Sequence, residues 1–256
     1  MKNQGINSNN LINDGHLGGY MAGGDPATWC PRLWSWLAHK FNIKSMIDVG
    51  CGQGYAVRYF DSLGIKAKGI EGSQEAIASS VIKSAIVQHD FCQHAYMSDK
   101  PTDFIWSCEF LEHIDEKHLN NVLATLLSSM NIIVITHAFP GQEGHHHVNC
   151  QPTIYWISLL RHIGFRFSLK YTLMARYITM RDHCKMNHFG RSGLVFFAPL
   201  NRGYDLTSEA LDKIVYAGKN PDNVCKTYGL ILKLQNIILR AFRKFGLFNI
   251  KDKIYN

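Results

Sequence analysis

Apolar and polar positions in this chain alternate between two rhythms. Short apolar runs at "SMIDVG" (45–50), "AKGIEG" (67–72), "SAIVQHD" (84–90), "DFIWSCE" (103–109) and "NIIVIT" (131–136) predict five strands. Between and after them, apolar residues at three- and four-residue steps predict helices over about 53–63, from about residue 73, over about 116–130, and over about 153–163. "FRFSLKYT" (165–172) and "SGLVFFAPL" (192–200) predict two more strands. Upstream, Asp25 suits a helix N-cap and Pro26 the first helical position. Trp29, Leu33, Trp36, Leu37 and Phe41 then form one apolar stripe. Strand–helix alternation of this kind predicts an α/β fold, a seven-stranded mostly parallel sheet with helices on both faces.

Beyond residue 200 the strands stop. A helix over about 207–217 and a long one over about 226–245 predict a C-terminal helical extension (201–256) behind a main domain (1–200). In the long helix Leu230, Leu234, Ile237, Ile238, Ala241, Phe242 and Phe245 share a face, with Lys233, Arg240, Arg243 and Lys244 mostly elsewhere. The first expectation for such a stripe is packing on the chain's own domain. A homodimer contact and a peripheral contact with an anionic membrane are the alternatives.

Composition narrows the class. The 256 residues carry 46% hydrophobic and 18% charged positions, an ordinary globular balance. A net charge of +7 suits an anionic partner without identifying one. Seven scattered cysteines with no CxxC pair predict reduced thiols and a cytoplasmic protein, and argue against a zinc ribbon. The N-terminal residues are polar, without the apolar core of a signal peptide, and no run is long enough for a transmembrane segment.

The chemistry concentrates in "MIDVGCGQGYAVRYF", where a strand ends in Asp48 and Gly50, Gly52 and Gly54 follow at alternate positions. Glycines there permit positive φ and let a ligand approach the backbone. The dinucleotide fingerprint GxGxxG would need a small residue at 55, where Tyr55 stands. The observed D-x-G-x-G-x-G resembles motif I of the class I S-adenosylmethionine-dependent methyltransferases, a Rossmann-like family whose loop wraps the amino-acid end of the cofactor. Two strand ends agree. Glu71 in "KGIEGS" can accept hydrogen bonds from both ribose hydroxyls. In "QHDF", Asp90 can accept from the adenine amino group while Phe91 offers a backbone N–H and a ring face. "DFIWSCEFLEHI" looks like the family's motif IV; its Glu112 and His113 read more readily as bracing the next helix than as chemistry. The resemblance covers about 45–172 and implies S-adenosyl-L-methionine as cofactor, with Cys51, Gly72 and Cys108 completing the cofactor wall.

Ligands of open α/β sheets bind outside the carboxyl ends of the strands, so "THAFPGQEGHHHVN" sits where a methyl acceptor belongs. In extended backbone His145 and His147 point one way and His146 the other, and only Glu143 is a nearby carboxylate, so no metal is expected. A hydroxyl acceptor benefits from a neutral imidazole as base. The run G-x-H-H-V-N-C-Q-P-x-x-Y-W resembles a bacterial-type methyltransferase subgroup associated with carbohydrates and other cell-surface or secondary metabolites. On that resemblance His146, His147 and His137 are the catalytic candidates, His147 foremost as base, and Asn149 an acceptor-site residue. The lead-in around His16, Gly18, Gly19 and Tyr20 is placed to act as a lid, with Tyr20 touching substrate. The 174–192 segment is placed as an insertion whose Arg176, Arg181, Arg191 and Tyr177 could hold an anionic group. The expected function is O-methylation of a small molecule such as a sugar, nucleotide-sugar or glycolipid precursor. An RNA methyltransferase is the alternative, disfavoured by the lack of an RNA-binding module or an aromatic–basic platform. A binding scaffold that has lost catalysis is the non-enzyme reading.

Overall fold

A computed structural model gives the structure of the protein and describes residues 11–12, 17, 19–181, 187–200 and 206–244. The expectations for His16 and Gly18 lie outside the described residues. Two short strands, β1 (Leu11–Ile12) and β2 (Tyr20–Met21), pair antiparallel ahead of the main sheet. Then follow α1 (Pro31–Lys40), β3 (Ser45–Val49), α2 (Tyr55–Ser62), β4 (Lys66–Glu71), α3 (Gln74–Ala78), β5 (Ile86–Gln88), β6 (Thr102–Ser107), α4 (Leu119–Leu126) and β7 (Ser129–Ile135). The second half supplies α5 (Thr153–His162), β8 (Arg166–Phe167), α6 (Leu169–Thr179), α7 (His188–Ser192), β9 (Leu194–Phe197), α8 (Ser208–Lys219) and α9 (Asn223–Lys244).

The seven-stranded sheet has the order β5-β4-β3-β6-β7-β9-β8. Neighbours pair in parallel except at β9, which runs antiparallel to both β7 and β8. Its central strands are buried on both faces, so their residues divide by parity. Ile47, Ile105, Ile133 and Ile135 face one core layer with Leu123, Leu160, Leu211 and Leu232 from α4, α5, α8 and α9. Met46, Phe104, Trp106 and Val134 face the other, with Leu33, Phe60, Ala175 and Phe189 from α1, α2, α6 and α7. The chain winds outward from β3 to β5, then returns to the other side of β3 with β6. That reversal opens a crevice at the carboxyl ends of β3 and β6.

Four expectations are corrected. The first helix starts at Pro31, because Asp25 Oδ1 accepts from Ala27 N at 2.7 Å and closes a turn instead of capping a helix. Its buried stripe is Leu33, Trp34 and Leu37, while Trp29 precedes the helix and stays 42% exposed. The strand expected over 165–172 is only two residues long: Ser168 Oγ accepts from Tyr171 N and caps α6, so helix propensity wins over a weak alternation. Residues up to 130 were expected to be helical, yet α4 stops at Leu126 and Met130 lies within β7.

The fourth correction concerns α9. It packs inward through Cys225, Leu232 and Leu239, with Gln235 Nε2 donating to Leu173 O at 2.8 Å and Asn236 Nδ2 to Arg191 O at 3.1 Å. The stripe of Leu230, Leu234, Ile237 and Ile238 therefore faces outward, each residue at least half exposed. Among the described residues no helix is long and apolar enough to cross a membrane.

Candidate active site

The β3–α2 turn is built on three left-handed glycines, Gly50 (φ 75°), Gly52 (φ 53°) and Gly54 (φ 82°). Their reasons differ. A Cβ on Gly50 would run into the Phe110 ring, and one on Gly54 would lie 2.9 Å from Ile86 Cδ1, so both allow close packing. Gly54 is the N-cap of α2 and does not line the cavity above the turn. A Cβ on Gly52 would have only Tyr20 Cβ within 4 Å, at 3.9 Å, so Gly52 opens onto that cavity. The amides of Gly50 and Cys51 donate to Ile70 O (2.9 and 3.1 Å), and Gly52 N donates to Glu71 Oε2 at 2.7 Å.

The cavity holds about 550 Å³, within the roughly 300–1,000 Å³ of small-molecule sites. Asp48, Gly50, Cys51 and Gly52 form its floor. Glu71 and Gly72 come from the end of β4, Asp90 and Phe91 from beyond β5, and Cys108 from the end of β6. The sheet thus brings these cofactor candidates together. Glu71 Oε1 accepts from Ser73 N at 2.9 Å, which together with the Gly52 amide orients the carboxylate in the cavity wall. Asp90 accepts from Cys92 N (2.8 Å) and Gln93 Nε2 (3.1 Å), which orients its carboxylate.

Among the described residues, no lysine or arginine lines this cavity. Burial, then the Glu71 charge, pushes Asp48 up to about 8. Burial, then the neighbouring carboxylates, raises the Cys51 and Cys108 thiols well above their ordinary range. A ligand bearing positive charge would relieve this arrangement, and a pyrophosphate would aggravate it. The residues therefore fit S-adenosylmethionine, whose sulfonium and ammonium are cationic, better than a dinucleotide.

The lead-in forms a cover. Tyr20 is buried in the cavity wall, and Leu17 packs where a Cβ on Gly72 would stand. Gly23 N donates to Gln53 Oε1 at 2.7 Å, while Gln53 Nε2 donates to Ser79 O at 3.1 Å, tying the cover to the glycine turn. A second tie is ionic. His188 at the start of α7 places Nε2 3.2 Å from Asp25 and Nδ1 2.9 Å from Glu109. Burial alone would lower the His188 pKa, but hydrogen bonds and charge from both carboxylates raise it to about 10. Burial works upward on Asp25 and Glu109, and His188 nevertheless holds both below the ordinary carboxylate range. Glu109 adopts φ 54°, uncommon for a residue with a side chain, and its amide donates to Thr136 Oγ1 at 2.7 Å. Sequence reasoning missed Gln53, Glu109 and His188. Glu109 stood in view at the end of "DFIWSCE", whereas nothing local marks His188.

At the far end His113, His145 and His147 line the cavity and His146 does not. His146 takes φ 50°, and its carbonyl accepts from His113 Nδ1 at 3.2 Å. The amides of Val148 and Asn149 donate to Glu112 O (2.9 and 3.0 Å), which pins the histidine loop to the turn after β6. Glu112 and His113 thus brace this loop and not the next helix. Burial, then Glu109, pushes Glu112 up to about 8; burial, then His147, brings His113 down to about 4.

Four other candidates stand apart from the cavity. His137 is buried with Nδ1 donating to Ala138 O (3.2 Å) and Nε2 3.1 Å from Thr153 Oγ1, and burial lowers its pKa to about 4. Neither ring nitrogen is free to act as a base. Asn149 is buried, donating to Ile114 O at 3.0 Å. Arg176 is buried, with Nε donating to Gly193 O at 2.8 Å and its pKa lowered to about 9 by burial. Arg181 sits in the turn after α6, outside the cavity lining.

A cavity at the switch point of a doubly wound, Rossmann-like sheet, with a glycine turn and an acid at the next strand end, defines a nucleoside-cofactor enzyme. A profile described as "Methyltransferase domain" matches residues 23–184, and the chain belongs to that family. It is an S-adenosylmethionine-dependent methyltransferase. No curated protein matches it. Among solved structures it is similar to a TehB-like SAM-dependent methyltransferase from Corynebacterium glutamicum ATCC 13032 Kitasato, at 18% identity and TM-score 0.48, covering 70% of this chain and 90% of that one. It is also similar to the [4+2]-cyclase SpnF, at 15% identity and TM-score 0.47, with coverage of 70% and 91%. A third is magnesium protoporphyrin IX methyltransferase (ChlM) from Synechocystis PCC 6803, at 15% identity and TM-score 0.44, with coverage of 65% and 76%.

Proposed function

We propose that the enzyme O-methylates a small, neutral, hydroxyl-rich acceptor, a sugar or the sugar of a glycolipid precursor, in line with its resemblance to a subgroup associated with carbohydrates and other metabolites. When bound, S-adenosylmethionine supplies a methyl group already activated by its sulfonium. The chain's own task is to align the acceptor and exclude water. Glu71, Asp90 and Phe91 hold the nucleoside, Gly52 faces the amino-acid chain, and the cover from Tyr20 to Trp29 closes over both.

The observation that carries this reading is the cavity lining, carboxylates at one end, imidazoles at the other, and no cationic side chain among the described residues. A phosphate-bearing acceptor meets no lysine or arginine among the described lining residues, which favours neutral sugars over nucleotide-sugars and RNA in this reading. His147 Nδ1 donates to Gln142 O at 3.1 Å, so the proton sits on Nδ1 and Nε2 keeps its lone pair for the acceptor hydroxyl. The outward stripe of α9 is the surface to examine for a peripheral membrane or homodimer contact.

The test is transfer of a labelled methyl group to a panel of neutral sugars, nucleotide-sugars, glycolipid precursors and RNA. Labelling of a neutral sugar or glycolipid precursor is expected, and labelling of RNA alone would refute the proposal. His147→Ala should lower turnover roughly 100-fold or more, the scale of a lost acid–base partner, with cofactor affinity unchanged. Unchanged turnover would remove His147 from the acceptor site.

A further inference from the structure

The absence of metal expected from the sequence rested on Glu143 as the sole acid near the histidines. Folding supplies another. The turn after β6 carries Glu112 and His113 beneath the loop that carries His147, and one ligand-capable atom from each of the three lies within 4.8 Å of the others. The two imidazole rings stand 5.1 Å apart at 68°.

Two independent features give this cluster the character of a ligand set. Both rings have their Nδ1 within hydrogen-bond distance of a backbone carbonyl, His113 with His146 O (3.2 Å) and His147 with Gln142 O (3.1 Å). A carbonyl only accepts, so both protons lie on Nδ1 and both Nε2 atoms carry free lone pairs. Orientation through the far nitrogen is how metal-ligating histidines are commonly held. The second feature is Glu112, fully buried beside the Glu109 carboxyl, whose Oε1 and Oε2 are paired with no cation among the described residues. A buried carboxylate without a cationic partner is costly and signals a missing counterpart. Glu109 is already engaged by Thr136 (2.9 Å) and His188 (2.9 Å), which leaves Glu112 as the acid of the set.

We propose that Glu112, His113 and His147 bind one borderline divalent metal ion, of the zinc or iron(II) class, at the acceptor end of the cavity. Two imidazoles and one carboxylate form the donor set such ions favour and leave coordination positions open. His113 and His147 line the cavity, so the ion borders the acceptor's space and can hold an acceptor oxygen. That role rests on the proposed function, with His147 then acting on the hydroxyl through the ion. Ion binding itself does not depend on it.

The experiment uses the full chain, stripped with a chelator and titrated with Co²⁺ as a visible-absorption probe, then with Zn²⁺. S-adenosylmethionine binding is measured by calorimetry on the same samples. The site predicts one Co²⁺ per chain, displaced by Zn²⁺ and indifferent to Mg²⁺. Glu112→Gln and His147→Ala should each weaken ion binding about 100-fold or more while cofactor binding persists. No stoichiometric Co²⁺ or Zn²⁺ binding in protein that binds the cofactor would overturn the inference, as would ion binding that both substitutions leave unchanged. Ion binding that the substitutions abolish, in protein that never binds S-adenosylmethionine, would support the metal site and overturn the cofactor reading alone.

Discussion

Gly52→Val abolishes S-adenosylmethionine binding, with affinity falling roughly 100-fold or more, equivalent to about 3 kcal/mol. The effect comes from where the new side chain must go. Gly50 and Gly54 are hemmed in by Phe110 and Ile86, whereas a Cβ on Gly52 would meet only Tyr20, at 3.9 Å, and point into the cavity. Valine there also occupies φ 53°, which costs roughly 1–2 kcal/mol of stability because Cβ crowds the backbone. Calorimetry therefore runs beside thermal unfolding. A folded variant that binds the cofactor normally would show that the turn holds something else.

The second large effect concerns the cover. His188→Gln removes the cation between Asp25 and Glu109 and leaves two facing, mostly buried carboxylates, a loss of roughly 3–5 kcal/mol. It also leaves a pH signature. Unfolded, the imidazole titrates near 6.5; folded, it is raised to about 10. Its contribution is complete below pH 6.5 and is lost as pH climbs toward 10. Asp48 and Glu112, each pushed up to about 8, also make wild-type stability fall with rising pH, and they remain in the variant. The difference between wild type and His188→Gln should therefore shrink steadily from pH 6.5 to 10, most cleanly above 8. Denaturant unfolding across that range measures it, and a constant difference would show that His188 is not the clasp.

The candidate cofactor end could be assembled from the sequence because each part is local. A glycine turn announces itself within seven residues, and Glu71 and Asp90 follow apolar runs whose direction in a parallel sheet is fixed by topology. The acceptor end was legible only in outline. The cavity lining does separate His146 from His145 and His147, but a turn at 145–146 with His146 at φ 50° does this, not the alternation expected of an extended loop. That Glu112 and His113 lie beneath the same loop is a tertiary fact, set by Glu112 O accepting the amides of Val148 and Asn149, 36 and 37 residues away. The clasp is more remote still, since His188 meets Asp25 across the molecule and Glu109 only because Glu109 takes a left-handed conformation. Charged residues misled in the other direction. Arg176 offered a phosphate grip by composition, but α6 turns it inward, where Gly193 O takes its Nε. The apolar stripe of α9 promised packing, yet the helix uses its Cys225–Leu232–Leu239 face instead.

The most direct test is a crystal structure of the protein with S-adenosylhomocysteine. The account predicts the ribose hydroxyls within hydrogen-bond distance of Glu71, the adenine beside Asp90 and Phe91, and the homocysteine chain over Gly52. A nucleoside bound elsewhere, or a cavity over Gly52 that stays without it at saturating concentration, would contradict it.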